Sequence, residues 1–188
     1  MILYEHPLSP YAQKVKIALR EKKVPCEMRL PVGLGAGAGY AAEFALASPR
    51  GEVPALVDGD ARLFDSTIIL EYIDEKWPEP VLMSRDPAAR GRARMIEDPM
   101  DTHYEAINWG LGEIEFMKRA TGALATELNG AAARQTATWW RWLERELGDA
   151  EWFGGAAFGR ADLSVIPYLN GSAGFGLAPA PGSPLAAW

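Results

Sequence analysis

Short apolar runs and helical periodicity alternate in the first part of the chain. Ile2–Tyr4 is an apolar run that predicts a strand, and apolar side chains then recur at helical spacing over residues 10–19. A second extended segment is predicted over residues 26–30 and a short helix over residues 40–47. The glycine-rich stretch between them, residues 33–39, is predicted to be a loop. This part of the pattern predicts the order β-α-β-α.

A hairpin and another helix follow. Residues 54–57 and 62–64 are apolar segments on either side of the turn Asp58-Gly59-Asp60, which predicts two paired strands. The next helix is predicted to begin at Asp65-Ser66 and to end at Trp77, where two nearby prolines stop it. The complete order is therefore βαβαββα.

Beyond this point the sequence predicts helices alone. Residues 1–77 are expected to form an α/β domain, residues 78–87 a linker, and residues 88–188 an all-helical domain. Two long amphipathic helices are predicted from apolar residues at helical spacing: Ile96, Met100, Tyr104, Ile107, Leu111 and Ile114 in the first, and Trp139, Trp142, Leu143 and Leu147 in the second.

Prolines and glycines divide the helical part further. Pro99 lies inside the first long helix and predicts a kink or a break near Asp98, because proline lacks the N–H that a helix interior needs. A last helix is predicted over residues 160–170, followed by a loop over residues 171–184. Residues 185–188 resemble the first turn of one more helix, which does not continue.

Composition excludes several classes of function. The 188 residues carry a formal net charge of -6, which argues against nucleic-acid binding, since such proteins need a basic face for phosphates. One cysteine and two histidines cannot assemble an internal disulfide or a structural zinc site, so no metal is expected. The sequence contains neither a long apolar span nor a secretory signal, so we expect a cytoplasmic protein that does not contact membranes.

The segment after the first strand is the best candidate for chemistry. Ser9 followed by Pro10 is typical of a helix N-cap and first helical residue, which is a purely structural interpretation. The functional alternative is that the Ser9 hydroxyl and the free N–H groups of the helix N-terminus bind an anion such as a thiolate. The residues alone leave both interpretations open.

Other candidates fit structural roles. The glycine-rich run matches neither a dinucleotide-binding nor a P-loop pattern. Cys26 is interpreted as a small core residue of the second strand, and no motif includes either histidine. The acidic residues Glu97, Asp98, Asp101 and Glu105 are interpreted as a solvated helix face.

Four motifs in order resemble those of the cytosolic glutathione transferases, near the serine-type tau, zeta and theta-like classes and the cysteine-type omega class. Residues 9–15 look like the active-site turn, 51–57 like the Val-Pro strand, 64–73 like the acidic-Ser helix start, and 158–165 like the capping motif of a later helix. The resemblance implies a thioredoxin-like N-terminal domain, a helical C-terminal domain and a homodimer. It also implies that the chain lacks the family's final helix.

Glutathione is the co-substrate that this resemblance implies. Ser9 is then the catalytic residue that stabilises the glutathione thiolate. Val53 pairs through its backbone with the cysteinyl part, and Pro54 is cis. Ser66 receives the γ-glutamyl carboxylate, while Asp65 faces the ammonium group.

Further roles follow from the same resemblance. Many family members have a cation near the glycyl carboxylate; Glu52 occupies that position here, so Arg50 is the substitute. Asp162 is expected to be a structural cap. The second substrate is a small apolar electrophile, and its wall is predicted to include Tyr11, His103, Tyr104 and Asn108.

Three activities remain open at this stage. The chain is expected to be a glutathione transferase. One alternative is a non-catalytic protein-interaction module with the same fold. The other is a glutathione-dependent isomerase or ether-cleaving enzyme. Thiol-disulfide exchange of the omega kind is not expected, because Ser9 cannot supply a protein thiolate.

Overall fold

The computed structural model describes residues 1–34 and 39–188. The chain divides into two compact units, Met1–Leu82 and Met83–Trp188. The centre of the predicted glycine-rich loop, residues 35–38, lies outside the described residues.

The first unit is a four-stranded mixed sheet with helices. Its central strand β1 (Ile2–Tyr4) pairs in parallel with β2 (Glu27–Arg29) and antiparallel with β3 (Ala55–Asp58), which pairs antiparallel with β4 (Ala61–Phe64). The strand order is β2-β1-β3-β4. The helices are α1 (Pro10–Glu21), α2 (Ala42–Ala47) and α3 (Ser66–Lys76). The predicted order βαβαββα and the thioredoxin-like fold are confirmed.

Strand register brings three chain segments to one edge of the sheet. Tyr4, Ala55 and Phe64 lie opposite one another on β1, β3 and β4. Because β1 ends where β3 begins and where β4 ends, the segments after β1, before β3 and after β4 share this edge. Ser9 and Val53 belong to two of these segments, which is what positions the candidate site.

Apolar side chains from α1, α3 and the central strands form the core of this unit. Leu3, Val15, Leu19, Leu56, Ile69 and Ile73 are at most 1% exposed. Cys26, by contrast, lies just before β2 and is half-buried, so its prediction as a core residue of the strand is wrong. The strand is shorter than predicted.

Lys22 ties the end of α1 to the end of α3. Its buried ammonium group donates to the carbonyl oxygens of Trp77 and Pro80, at 2.6 and 2.7 Å, and forms an ion pair with Asp74 at 2.7 Å. Asp74 also accepts from the backbone N–H of Leu82 at 3.2 Å. The segment that follows α3 is therefore held to the first unit, and this unit extends beyond Trp77.

The second unit is helical throughout its named elements. These are α4 (Pro87–Pro99), a π-helical turn (Met100–Tyr104), α5 (Glu105–Glu115), α6 (Gly122–Leu147), α7 (Arg160–Gly174) and α8 (Pro184–Ala187). The π-helical turn begins directly after Pro99, whose missing N–H interrupts the ordinary helical ladder. The kink or break predicted near Asp98 is therefore a π-helical turn just after Pro99.

A buried ion pair and the packing of the last residues stabilise the second unit. Arg160 at the start of α7 binds both carboxylate oxygens of Glu97 on α4, at 2.8 and 3.0 Å, and both side chains are at most 3% exposed. The prediction of a solvated acidic face is thus wrong for Glu97. Leu185 in α8 is buried, and the ring of Trp188 packs edge-on against Phe153 with centroids 5.0 Å apart.

No helix in the described part of the chain is long and apolar enough to cross a membrane.

Candidate functional site

Ser9 is the N-cap of α1. Its hydroxyl oxygen accepts a hydrogen bond from the backbone N–H of Ala12 at 3.2 Å, and Pro10 occupies the first helical position. The side chain is half-buried. Because the oxygen accepts from the helix, the hydroxyl proton can point away from the helix toward an anion.

The turn that leads into Ser9 is closed by several hydrogen bonds. Ser9 donates its backbone N–H to the carbonyl of His6 at 2.9 Å. The Nδ1 atom of His6 accepts from the backbone N–H of Leu8 at 3.2 Å, and the amide of Gln13 donates to the carbonyl of Pro7 at 2.8 Å. Neither His6 nor Gln13 was assigned a role from the sequence, although His6 lies two residues from Leu8 and Gln13 six residues from Pro7, and these spacings permit the contacts.

Val53 presents backbone groups next to the start of β3. The Val53-Pro54 peptide bond is cis, and Pro54 is buried. The segment before it is held by Ser48, whose hydroxyl donates to the carbonyl of Glu52 at 2.8 Å and accepts from its N–H at 3.1 Å. Among the described residues, no hydrogen bond is recorded for the backbone N–H and C=O of Val53. An extended ligand can pair there as an added strand.

The start of α3 combines an acidic cap with a buried hydroxyl. The carboxylate of Asp65 accepts from the N–H groups of Thr67 and Ile68, at 2.9 and 3.4 Å. Its φ of 75° lies in the left-handed region, which is unusual for a residue other than glycine. Ser66 is the first residue of α3 and is 4% exposed. The N-terminus of α3 thus offers N–H groups and a hydroxyl to an anionic group, beside one carboxylate.

Arg50 forms an ion pair with Glu52. The two side chains meet at 2.6 Å, and the guanidinium group lies 5.7 Å from the centroid of the Phe64 ring. Both charged side chains are exposed. A cavity of about 560 Å³ is lined by Arg50, Arg62, Leu63, Phe64, Asp65, Thr67 and Ile68. The structure therefore places Arg50 and Asp65, both predicted site residues, around one cavity.

Two of the four predicted wall residues are buried inside the second unit. Tyr104 is completely buried, and its hydroxyl contacts the Ser172 hydroxyl and the Trp140 indole N–H, each at 2.9 Å. Burial raises the pKa of this phenol. Asn108 is 7% exposed and donates to the carbonyl of Tyr168 at 3.0 Å. These contacts hold helices together, so the structure gives no surface at either residue for a ligand.

The other two predicted wall residues are accessible. Tyr11 lies in the first turn of α1 and is half-buried. His103 is exposed, and its ring packs against Trp139 with centroids 5.7 Å apart. An open apolar cavity of about 920 Å³ lies between α5 and α6 and includes His103, Ile107, Leu111, Leu124, Leu128 and Trp139 in its lining.

Asp162 caps the N-terminus of α7. Its carboxylate accepts from the backbone N–H groups of Gly159 and Phe153, at 2.9 and 2.8 Å. The side chain is completely buried, and burial raises its pKa while these backbone hydrogen bonds act in the opposite direction. The contacts are structural.

Glu105 is a half-buried acid of the second unit whose pKa is shifted from its ordinary value. Burial, with a smaller contribution from the neighbouring carboxylate of Asp101, raises the pKa of Glu105 to about 7. Asp101 itself accepts a hydrogen bond of 2.5 Å from the Tyr168 hydroxyl. This half-buried environment differs from the solvated face predicted for these acids.

Elsewhere, burial raises the pKa of the Cys26 thiol, which keeps it protonated at neutral pH. Within the described residues, no group of three or more histidine, cysteine, aspartate or glutamate side chains is arranged to hold a metal ion.

Comparison with known proteins gives consistent matches to one family. A family model described as glutathione S-transferase, N-terminal domain, matches residues 3–81. Glutathione S-transferase Z1 of Arabidopsis thaliana is 45% identical over 84 residues, which cover 45% of this chain and 38% of that protein. A stringent starvation protein A homolog of Coxiella burnetii is 37% identical over 97 residues, covering 51% of this chain and 44% of that protein. This chain therefore matches less than half the length of these two relatives.

A third relative matches over nearly the whole chain. Maleylacetoacetate isomerase of Pseudomonas aeruginosa is 31% identical over 191 residues, which cover 95% of this chain and 84% of that protein.

Solved structures show the same likeness. A glutathione S-transferase from Rhodospirillum rubrum F11 has a TM-score of 0.84 at 28% identity and covers 99% of this chain and 84% of its own. Maleylacetoacetate isomerase from Methylobacterium extorquens AM1, solved with bound malonate and glutathione, has a TM-score of 0.77 at 26% identity, with 100% and 88% covered. Together with the near full-length match to the Pseudomonas protein, these findings show that the chain belongs to the glutathione S-transferase family.

Proposed function

We propose that the first unit binds glutathione and that the Ser9 hydroxyl stabilises its thiolate. The observation that carries this proposal is the position of Ser9 as a helix cap at the same sheet edge as Val53, whose backbone N–H and C=O form no hydrogen bond with another described residue. Val53 pairs with the cysteinyl part of the ligand. The N-terminus of α3, with Ser66, receives the γ-glutamyl carboxylate, and Asp65 faces the ammonium group.

The expected interaction energies are of the size that thiolate formation requires. A free thiol has a pKa near ~8.5, so a bound thiol that is mostly ionised at neutral pH needs a pKa lower by roughly 2 units, or about 2.7 kcal/mol. A hydrogen bond from the Ser9 hydroxyl to a charged sulfur contributes about 1.5 to 3 kcal/mol. The N-terminus of α1 adds about 0.3 to 1 kcal/mol.

The test is a pair of measurements on Ser9→Ala. Calorimetric titration with glutathione checks binding, and ultraviolet titration of the bound thiolate checks its pKa. We expect nearly unchanged affinity at a pH below the pKa of the bound thiol, and a bound-thiol pKa raised by about 1 to 2 units, since one charge-assisted hydrogen bond to the thiolate is lost. Wild-type protein that gives no heat at millimolar glutathione excludes the glutathione-binding role. An unchanged thiol pKa in the variant reduces Ser9 to a helix cap.

The thiolate then attacks the electrophilic carbon of a small compound in an apolar second site, and the accessible residue that we propose for its wall is Tyr11 in the first turn of α1. In a transferase the thiolate forms a new carbon–sulfur bond, either while a leaving group such as halide departs with the electron pair of the broken bond, or by adding to an activated double bond whose other end then takes a proton from water. Glutathione is consumed with the substrate in both cases. This is the principal reaction that we propose.

Isomerisation is the second candidate, favoured by the near full-length similarity to a maleylacetoacetate isomerase. A thiolate adds to an activated cis double bond, the resulting single bond rotates, and the thiolate leaves to give the trans product. Glutathione is regenerated in this reaction. Product formation without loss of free thiol therefore identifies an isomerase, whereas equal loss of thiol and substrate identifies a transferase.

A protein-interaction module is the third candidate, since a relative that matches about half of this chain, a stringent starvation protein A homolog, has a name that specifies no glutathione chemistry. Glutathione binding without turnover of maleyl-type or aryl halide substrates favours this role.

We also propose that the protein is cytoplasmic and that it forms a homodimer. Sedimentation equilibrium tests the homodimer directly through the molecular mass.

A further inference from the structure

We propose that His6 and Gln13 are positioning residues for Ser9: they fix the turn before α1 and so aim the Ser9 hydroxyl at the bound sulfur. The inference rests on the proposed role of Ser9 and extends it to two side chains to which the sequence had given no role. Neither residue needs to touch the substrate.

The turn itself has only four residues. Proline at its second position presets the backbone, and the N–H of Ser9 donates back to the carbonyl of His6 at 2.9 Å. The hydroxyl direction of Ser9 depends on this backbone, since Ser9 has an extended conformation with φ -78° and ψ 113° while its oxygen must still reach the N–H of Ala12. A shift in the turn therefore changes where the hydroxyl proton points.

His6 closes the first half of the turn. Its Nδ1 atom accepts from the N–H of Leu8, two residues later, at 3.2 Å. This contact requires the neutral imidazole with its proton on Nε2. It is the histidine counterpart of the turn that asparagine and aspartate side chains form with the N–H two residues on. Asparagine can therefore reproduce the contact, whereas leucine cannot.

Gln13 closes the second half from the helix. Its side-chain amide reaches back from α1 and donates to the carbonyl of Pro7 at 2.8 Å, while its own backbone N–H donates to the carbonyl of Ser9 at 3.0 Å. Gln13 therefore contacts the turn twice, through its side chain at Pro7 and through its backbone N–H at Ser9. Methionine has nearly the same length and helix propensity as glutamine but no donor, so Gln13→Met removes this one hydrogen bond.

Both contacts lie in exposed surroundings, where a hydrogen bond contributes little to folding. A role limited to stability and a role in positioning Ser9 therefore predict different results. The first changes the midpoint of unfolding and leaves the chemistry of the bound thiol unchanged. The second changes the pKa of bound glutathione, and does so only while the Ser9 hydroxyl is present.

The experiment compares Gln13→Met, His6→Leu and His6→Asn with the full-length protein, and uses the exposed Gln135→Met on α6 as the matched control. The pKa of bound glutathione is measured by thiolate absorbance, and affinity by calorimetry. We expect Gln13→Met and His6→Leu to raise the thiol pKa by about 0.5 to 1 unit, which lowers the thiolate fraction about threefold to tenfold below that pKa. The dissociation constant measured at a pH below the pKa of the bound thiol should change less than about twofold. His6→Asn and Gln135→Met should match the wild type.

Combination with Ser9→Ala makes the test specific. If the two residues act through the hydroxyl, Ser9→Ala/Gln13→Met has the same thiol pKa as Ser9→Ala alone. If Ser9→Ala raises the pKa but the Gln13 and His6 variants do not, the positioning role is overturned and the role of Ser9 stands. If the increases of the double variant are additive, the positioning role is likewise overturned. If Ser9→Ala leaves the pKa unchanged, both proposals fail.

Discussion

At the residue scale, the helix cap formed by Ser9 is compatible with the catalytic role that we propose for it, because one hydroxyl can accept and donate at once. It accepts from Ala12, which secures the helix, and its proton remains for a sulfur. Serine at an N-cap is predictable from the adjacent proline alone. The contacts of His6 and Gln13 were not predicted, since they depend on the path of the turn that precedes the helix.

In the proposed site, Glu52 competes with the glycyl carboxylate of glutathione for Arg50. The two side chains form an exposed ion pair, which is worth at most about 1 kcal/mol. Glu52→Gln removes that competition and a negative charge near the proposed glycyl carboxylate. We expect glutathione to bind about twofold to fivefold more tightly, measured by calorimetry at low salt, with a smaller gain at high salt. The exposed Glu75→Gln is the control of equal charge, and unchanged affinity in Glu52→Gln speaks against Arg50 as the cation.

Glu105 gives the second unit a pH dependence. Its pKa of about 7 in the folded protein lies above the ordinary value of 4.5, so the folded state holds the proton more tightly than the unfolded state. Its stabilising contribution is fully present below the unfolded pKa and is lost as the pH rises through 7. Between pH 5.5 and 8 we expect the free energy of unfolding to fall by about 2 kcal/mol from this group.

Urea unfolding of Glu105→Gln checks this expectation. The variant should lose that part of the pH dependence and exceed the wild type in stability at pH 8. Glu127→Gln, an exposed position on α6, should keep the wild-type slope. Equal slopes in all three proteins contradict the assigned titration.

Helices α4 and α7 are joined at the element scale by the Glu97–Arg160 pair. Both groups are buried, and the guanidinium contacts both carboxylate oxygens. Arg160→Met leaves the Glu97 carboxylate without this partner, and we expect unfolding by urea to show a loss of about 3 to 5 kcal/mol. Glu97→Met/Arg160→Met should lose less than the sum of the single variants. Strict additivity argues against a direct interaction between the two groups.

Most helix boundaries followed the local patterns closely. Two departures lie in the second unit, at the π-helical turn after Pro99 and at the end of α7. Pro99 made an irregularity predictable, but its π-helical form depends on how Met100 and Tyr104 pack. The predicted last helix also continues to Gly174. Burial of Ser172 on this added turn, where it contacts Tyr104, offers a physical reason that no local pattern contains.

At the scale of the whole molecule, we expect bound glutathione to stabilise the folded protein. Glutathione at about 100 times its dissociation constant should raise the free energy of unfolding by about 2.7 kcal/mol, because it binds the folded state. Thermal or urea unfolding measures this increase. Dithiothreitol is the control, since it supplies thiols without the γ-glutamyl carboxylate. Ser66→Ala should reduce the increase, whereas an equal increase in this variant removes Ser66 from the site.

The sequence by itself determined the order of elements, the helix starts at Ser9 and Asp65, and the family resemblance from which the glutathione site is proposed, because these depend on neighbouring residues. Tertiary structure decided which polar side chains are buried. Glu97, Tyr104 and Asn108 lie on helical segments that also carry exposed side chains, so local pattern alone does not show that they are buried. Their contacts with Arg160, Ser172 and Tyr168 on α7 account for their burial. Helical periodicity identifies a face of a helix, but partners distant in the chain determine what covers that face.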